Sequence, residues 1–412
     1  MSAVGLRCAV LCCAVLCLHP TDVQLQRDQF VCLSSLKTTN PALHPPSLTT
    51  TPPTSHLLPP PPHSNPSHQT TTTTTTAAIM VDRPHKPSSL PNTAAAAKSA
   101  GPQPTVDISD DNSRVTARLP SGESVTILLY GATVISWKNA DGSDNLWLSE
   151  KAALDGSKPV RGGIPVVFPV FGPPPANHAT SSLPQHGFAR NSRWEYLGKS
   201  TSEASADPEA AAAATTAADS SSVKLDFGLY SSNLSAEARK AWPYDFGVVY
   251  SVTLGPNSLQ TAVNVRNEGD KAWDFQVLFH TYLSVKDISK TQVTGLLGVT
   301  YTDKVLTPIS TTTESHASLP ITGEIDRVYK AIPQSTTSVV VDGKPRFDVV
   351  RDNLPDTVVW NPWKEKAHAM ADFAPDDAYK SMICVEAGAV AEWTKLEAGD
   401  TWEGGVTYKS LL

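Results

Sequence analysis

The chain has 412 residues, a formal net charge of -7, 18% charged residues and 7% aromatic residues. That length suits one large domain or two ordinary ones. The acidic balance argues against a nucleic-acid binder, which presents a basic face, yet it leaves room for an anionic small ligand, because a few local arginines can hold a phosphate whatever the average charge.

Residues 1–104 read as a low-complexity extension. Asn40–Ala78 is Pro, Thr, Ser and His, with a threonine run from Thr70 to Thr76. Such a composition buries too little to offset chain entropy, so disorder is expected. Within residues 1–20, Arg7 followed by Cys8–Leu18 resembles the charged and apolar regions of a secretory signal. Met80, which opens MVDRPHKPSSLP, is the alternative start and the favoured one. Cys8, Cys12, Cys13, Cys17 and Cys32 all precede the folded part, which holds only Cys384. A single cysteine there supports no internal disulfide and favours a reducing, cytoplasmic setting, with secretion as the alternative. No apolar run approaches the ~20 residues of a membrane-spanning helix, so no membrane partner is expected.

From about Val106 the texture is strands and turns. Ser124–Tyr130 is β-rich and ends at Gly131. Thr133–Lys138 follows, then the turn cluster Asn139-Ala140-Asp141-Gly142 and a short strand Asn145–Leu148. In Val223–Tyr230 the alternation puts Val223, Leu225, Phe227 and Leu229 on one face. Phe246–Leu254 and Leu259–Arg266 flank Gly255-Pro256-Asn257-Ser258 and predict a hairpin. Helical signals are confined to Ser235–Lys240 and Pro375–Lys380. Short strands punctuated by Gly, Pro and Asn predict an all-β sandwich spanning residues 105–412. The Ala/Ser/Thr-rich stretch Ala204–Ser222 reads as a surface loop.

Four segments could carry chemistry. In Val160–Gly172, Arg161 precedes Gly162-Gly163; glycines let a backbone approach a ligand closely, and the arginine fork suits a phosphate or carboxylate. A charged turn residue is the plain alternative. In Pro184–Trp194, His186, Arg190 and Arg193 lie close together, and strand spacing would put His186 and Arg190 on one face. In Trp273–Val285, strand parity puts Asp274, Gln276, Leu278, His280 and Tyr282 on one face. His280 there is either a general acid or base near neutral pH or a structural histidine. In Ser381–Gly388, Met382, Cys384 and Glu386 share a face. A partly desolvated Glu386 would be a stronger base, whereas one at the strand end would point into water. Thr322–Lys330 concentrates Glu324, Asp326, Arg327 and Tyr329, and Thr357–Trp363 sets tryptophans around Asn361, either against a sugar ring or in the core. No metal-ligand spacing, nucleotide-phosphate loop or nucleophile elbow is visible, so no metal and no cofactor are expected.

Taken in order, RGGIPVVFPVFG, LPQHGFARNSRWE, FHTYLSVKDI, EIDRVY, VVWNPWKEKA and ICVEAG resemble the glucose-6-phosphate 1-epimerases, or hexose-6-phosphate mutarotases, of the aldose 1-epimerase (galactose mutarotase-like) superfamily. The resemblance runs from about Val106 to the C-terminus. It implies a large antiparallel β-supersandwich with an open cleft that acts on a small sugar phosphate; a monomer is the expectation, though the sequence does not fix the oligomeric state. It further implies catalysis by His280 and Glu386, phosphate binding by Arg161 and Arg190, and sugar-hydroxyl contacts from His186 and Asp326. Cofactor-free interconversion of the α and β anomers of a hexose 6-phosphate, chiefly glucose 6-phosphate, is the activity expected. Two rivals stand beside it. One is an aldose 1-epimerase for unphosphorylated sugars, against which the two arginines argue. The other is a non-catalytic carbohydrate-binding sandwich on a Ser/Thr/Pro stalk; the lone Cys384 and a single glycosylation sequon at Asn233 weigh against it.

Overall fold

The structure, a computed structural model, describes residues 102–201 and 222–411. The signal-like stretch, Met80 and all of the Ala204–Ser222 loop but its last residue fall outside these. Among the described residues no helix is long and apolar enough to cross a membrane.

The strands form three sheets. A four-stranded meander runs Thr105–Ile108, Arg114–Arg118, Ser124–Leu128, Thr133–Lys138. The eight-stranded sheet is ordered Ser310–Thr313, Thr300–Asp303, Ile325–Tyr329, Asp356–Asn361, Met382–Leu396, Trp273–Phe279, Val166–Val167, with Tyr282–Ser284 also paired to Met382–Leu396. The nine-stranded sheet is ordered Ser318–Pro320, Thr291–Thr294, Thr336–Val341, Lys344–Asp352, Thr401–Ser410, Ser258–Asn267, Phe246–Gly255, Val223–Tyr230, Glu195–Thr201. Every ladder between these strands is antiparallel. The all-β sandwich expected from the sequence is therefore the fold.

Alternation decides which side chains fill the space between the sheets. Val223, Leu225, Phe227 and Leu229 are all fully buried, as their spacing predicts. From the eight-stranded sheet, Phe275, Val277, Phe279, Ile383, Val385 and Ala387 enter the same core, and from the nine-stranded sheet Val248, Tyr250 and Val265. Phe168 anchors it, touching Phe188, Trp242, Phe246, Trp273 and Phe275. Each such buried aromatic contributes about 1.5–3 kcal/mol. The opposite face of the eight-stranded sheet carries a second cluster with Leu278, Tyr282, Val358, Trp360, Met382 and Cys384, roofed in part by the helix Trp363–Ala369.

The hairpin forms between Phe246–Gly255 and Ser258–Asn267, with Asn257 at φ +52° in its turn, a conformation asparagine tolerates better than most residues. The first predicted helix is Ala236–Ala241; Ser235 caps it by accepting from the Ala238 N–H, and Arg239 and Lys240 close its last turn. The second is a 3-10 turn, Ala378–Ser381. Helix Trp363–Ala369 was not expected, because Pro362 at its N-cap follows a strand-like run. Asn145–Leu148 makes only isolated bridges, Leu146 to Leu283 and Leu148 to Gly162. Trp273–Val285 is not one strand: it breaks at His280 and Thr281, where the partner strand shifts from the Trp273–Phe279 ladder to the Tyr282–Ser284 one.

Candidate active site

The break at His280 is where the site begins. Its backbone N–H donates to the Pro165 carbonyl (3.0 Å) and that of Tyr282 to the Gly163 carbonyl (2.9 Å). These bonds lay the Arg161–Pro165 segment alongside. The two glycines serve that packing. A Cβ on Gly163, at φ +66°, would sit 2.1 Å from the Val134 carbonyl oxygen, and one on Gly162 2.6 Å from the Trp147 carbonyl oxygen. They let Arg161 emerge beside Tyr282.

Glu386 lies in the middle of the long strand Met382–Leu396, directly opposite Val358. It is not at a strand end and does not face water; it is 1% exposed. Phe279 pairs with Ala387, so His280 arrives beside Glu386. Nδ1 of His280 is 3.4 Å from Oε1 of Glu386. Cys384, two residues back on the same face, puts Sγ 3.9 Å from the same Nδ1. The imidazole stacks on the Tyr282 ring (4.7 Å, 9°) and meets Trp360 edge-on (5.9 Å).

His280, Trp360 and Glu386 line a cleft of about 200 Å³ whose other walls are Arg161, Phe171, Gln185, His186, Lys304, Asp326, Val358, Lys366 and Met370. Five of the six residues singled out from the sequence therefore meet in one cavity. Arg190 is not among the lining residues. It sits in the 3-10 turn Ala189–Asn191, donates to the Gln185 carbonyl (3.0 Å), and leaves its Nε buried without a partner.

His186 reaches the cleft by a route other than the predicted strand. It adopts φ +68° and Gly187 +70°, a left-handed pair that turns the chain back toward Phe168, where a Cβ at Gly187 would lie 2.2 Å from a carbonyl oxygen. A histidine in this region is uncommon, and such outliers cluster at functional sites. The Gly172 N–H donates to Nδ1 (3.2 Å), so the neutral ring carries its proton on Nε2, where the Gln185 side-chain amide lies 3.3 Å away. Burial, then Arg190, Lys304 and Arg161, push its pKa down to about 3.

Desolvation dominates the electrostatics of the central pair. Burial, then His186, Arg190 and Arg161, hold His280 well below the usual imidazole value. Burial, reinforced by Asp326, lifts Glu386 well above the usual carboxyl value, against Lys304. Both shifts favour the uncharged form of the pair, a protonated Glu386 beside a neutral His280, over the ion pair. Burial raises Asp326 as well, opposed by Lys304 and Lys366.

Several cleft residues escaped the sequence reading. Asp372 accepts from Arg161 Nε at both carboxylate oxygens (3.2 and 3.3 Å), and Arg161 Nη1 donates to Tyr282 Oη (3.2 Å). The Arg161 fork is thus already half engaged. Lys304 Nζ stands 4.0 Å from Asp326 and over the Phe171 ring at 4.6 Å, and Lys366 bonds Glu324 (2.9 Å). Local spacing gives no hint of these, since Arg161 and Asp372 are 211 residues apart. Of the tryptophans around Asn361, Trp360 lines the cleft and Trp363 packs on Tyr379. Asn361 is structural, donating to the Tyr379 and Met382 carbonyls. Arg327 and Tyr329 bind Glu314 on the other side of their strand, while Arg193 bonds the Asn112 carbonyl.

Known proteins share both the sequence and the architecture. The aldose 1-epimerase family profile matches residues 113–409. A protein of Cenchrus ciliaris provisionally named glucose-6-phosphate 1-epimerase is 35% identical over 288 residues, 69% of this chain and 80% of its own length. One of Escherichia coli, provisionally named likewise, is 32% identical over 65% of this chain and 80% of its own. Among solved structures, a provisionally named mutarotase of Salmonella typhimurium superimposes with a TM-score of 0.59 at 26% identity, covering 72% of this chain and 90% of that one. A galactose mutarotase-related enzyme of Lactobacillus acidophilus shares the fold, with a TM-score of 0.53 at 16% identity over 73% and 97% of the two chains.

Proposed function

The chain belongs to the aldose 1-epimerase family, and we propose that within it this protein interconverts the α and β anomers of a hexose 6-phosphate, chiefly glucose 6-phosphate. The observation that carries this reading is the buried His280–Glu386 pair on the floor of a cleft whose walls hold Arg161, Lys304 and Lys366. The relatives' names point to the same substrate.

Anomerisation needs one proton taken from the C1 hydroxyl and one given to the ring oxygen; the ring opens to the aldehyde, the C1–C2 bond rotates, and the ring closes on the other face. Moving the shared proton across the Nδ1–Oε1 contact makes an imidazolium and a carboxylate. From that state Glu386 takes the hydroxyl proton and His280 delivers one to the ring oxygen; closure reverses the roles. Each positioned acid or base supplies about 10²–10⁴-fold, roughly 3–5 kcal/mol of barrier. His186 and Asp326 hold sugar hydroxyls. The phosphate is drawn by Arg161, with Arg190 behind it and Lys304 and Lys366 on the walls. Trp360 and Phe171 offer apolar surface to the sugar's C–H groups.

The bonds from Arg161 to Asp372 favour a second reading, an unphosphorylated aldose, because that carboxylate already occupies part of the fork. Anomer exchange measured by NMR magnetisation transfer, with glucose 6-phosphate and glucose in parallel, separates the two. Acceleration of the phosphate alone supports the proposal. Acceleration of both, at equal efficiency, removes the phosphate site, and acceleration of neither in a folded sample ends the enzymatic reading.

A further inference from the structure

Cys384 takes no part in the proton transfers and is fully buried outside the cleft lining, yet it completes a constellation with His280 and Glu386. One ligand atom from each of His280, Cys384 and Glu386 falls within 4.8 Å of the others. The measured spacings are 3.4 Å from Nδ1 to Oε1 and 3.9 Å from Nδ1 to Sγ. Strand geometry fixes them: Cys384 and Glu386 are alternate residues on one face, and His280 follows Phe279, the cross-strand partner of Ala387. Four-coordinate zinc, with nitrogen at about 2.0 Å and sulfur at about 2.3 Å, separates its ligand atoms by roughly 3.3–3.7 Å. The two spacings to Nδ1 are close to that already, and the thiol and carboxylate need only a small rearrangement to close the third.

A second observation points to a ligand. Oε2 of Glu386 is buried with no hydrogen-bond partner, on a side chain 1% exposed. An orphaned carboxylate oxygen in such a place is costly, and a cation bound between these groups satisfies it. A thiolate, a carboxylate and a neutral imidazole also balance a divalent charge in a site that tolerates little net charge. The nearby cations do not compete for the same ligands, since Arg161 is held by Asp372 and Lys304 stands by Asp326. The donor set of sulfur, nitrogen and oxygen selects zinc or cadmium over magnesium or calcium.

We propose that the floor of the cleft binds one thiophilic divalent cation of the zinc class through His280, Cys384 and Glu386, and that the bound cation blocks turnover of the sugar. Binding stands on the geometry; inhibition rests on the roles proposed above for His280 and Glu386. The ligands are split between the break at His280 and the strand Met382–Leu396, with 104 residues between His280 and Cys384, which is why no metal-ligand spacing is visible along the chain.

The test uses the full chain with Cys8, Cys12, Cys13, Cys17 and Cys32 replaced by serine, leaving Cys384 as its one thiol, and cadmium chloride as the probe. The ultraviolet thiolate-to-cadmium band should saturate at one equivalent and vanish in the additional variant Cys384→Ser. His280→Ala, which keeps the thiol, should bind at least about tenfold more weakly. Glucose 6-phosphate should weaken binding, and anomer exchange should fall at least about tenfold at one equivalent and recover with a chelator. Cys384→Ser should retain exchange and lose its sensitivity to cadmium. Absence of the band in the folded parent, or undiminished affinity in His280→Ala, would overturn the site. Binding with unchanged exchange would overturn the inhibition while leaving the site.

Discussion

Nδ1 of His280 lies 3.4 Å from Oε1 of Glu386, and among the described residues neither side chain has another ionic partner. Removing either should leave the other with nothing to exchange protons with. Glu386→Gln and His280→Ala are each expected to lower kcat by about 10²–10⁴-fold. The fold should survive in both, since each side chain faces the cleft and not the aromatic core. Near-normal exchange by NMR in either variant would refute the assignment.

Arg161 and Arg190 are expected to act on recognition more than on chemistry. Charge-assisted bonds of this kind contribute roughly 1.5–3 kcal/mol, so Arg161→Ala should raise KM for glucose 6-phosphate about 10–100-fold. Arg190→Ala should do less, because it stands behind the wall. kcat should change little if the phosphate is held equally in ground and transition states. Steady-state kinetics read this directly, and an equal loss with unphosphorylated glucose would argue that the arginines shape the cleft and bind no phosphate.

The pH dependence follows from the directions of the two shifts. His280, held well below 6.5, accepts a second proton for the pair only in acid, and Glu386, held well above 4.5, gives up the last one late. At saturating substrate kcat should therefore run flat through pH 6.5, with its acid limb below that value. KM will carry the substrate phosphate's own ionisation near ~6. An inflection of kcat at an ordinary imidazole value would contradict the burial argument.

His186 makes a stability prediction with a definite sign. Its folded pKa of about 3 lies below the usual 6.5, so the stabilisation is present above 6.5 and is lost as pH falls toward 3. Two pH units of this shift amount to on the order of 2–3 kcal/mol. Between pH 7 and 4.5, urea unfolding should show wild type losing more stability than His186→Asn, which tolerates the same left-handed backbone. Parallel losses would mean that His186 titrates normally.

Asp356 should prove structural. It is buried, and its carboxylate accepts from the N–H groups of Ala331 (3.0 Å), Val390 (2.8 Å) and Ala391 (2.7 Å). Asp356→Ala leaves these donors unmet, at a cost of at least about 3 kcal/mol. A large fall in Tm is expected, and an unchanged Tm would show that the loops it ties are held by other means.

The parts of this molecule legible in its sequence are those set by alternation. Strand parity put His280 and Tyr282 on the face opposite Phe275, Val277 and Phe279, which fill the core, and parity survived the break at His280. It also put Cys384 and Glu386 together. What alternation could not convey is how far a strand runs: Glu386 reads as a strand-end residue, yet Met382–Leu396 continues past it and buries it. Nor could local pattern supply the turn at His186, where a non-glycine residue takes φ +68°, or the partners Asp372 and Lys304, which only tertiary packing brings to Arg161 and Asp326. The glycines after Arg161 were legible as points of close approach, but the neighbour they admit is the chain itself.

The strand Met382–Leu396 pairs with Trp273–Phe279 and Tyr282–Ser284 on one side and with Asp356–Asn361 on the other. The pairings with Trp273–Phe279 and Tyr282–Ser284 must close a long loop before any contact rewards them, and topologies of that kind fold slowly. During synthesis His280 is made and can be packed well before Glu386 leaves the ribosome. The floor of the cleft is thus among the last places to close: a nascent chain that stops short of this strand also lacks Thr401–Ser410, which joins the two halves of the nine-stranded sheet, and has no complete site.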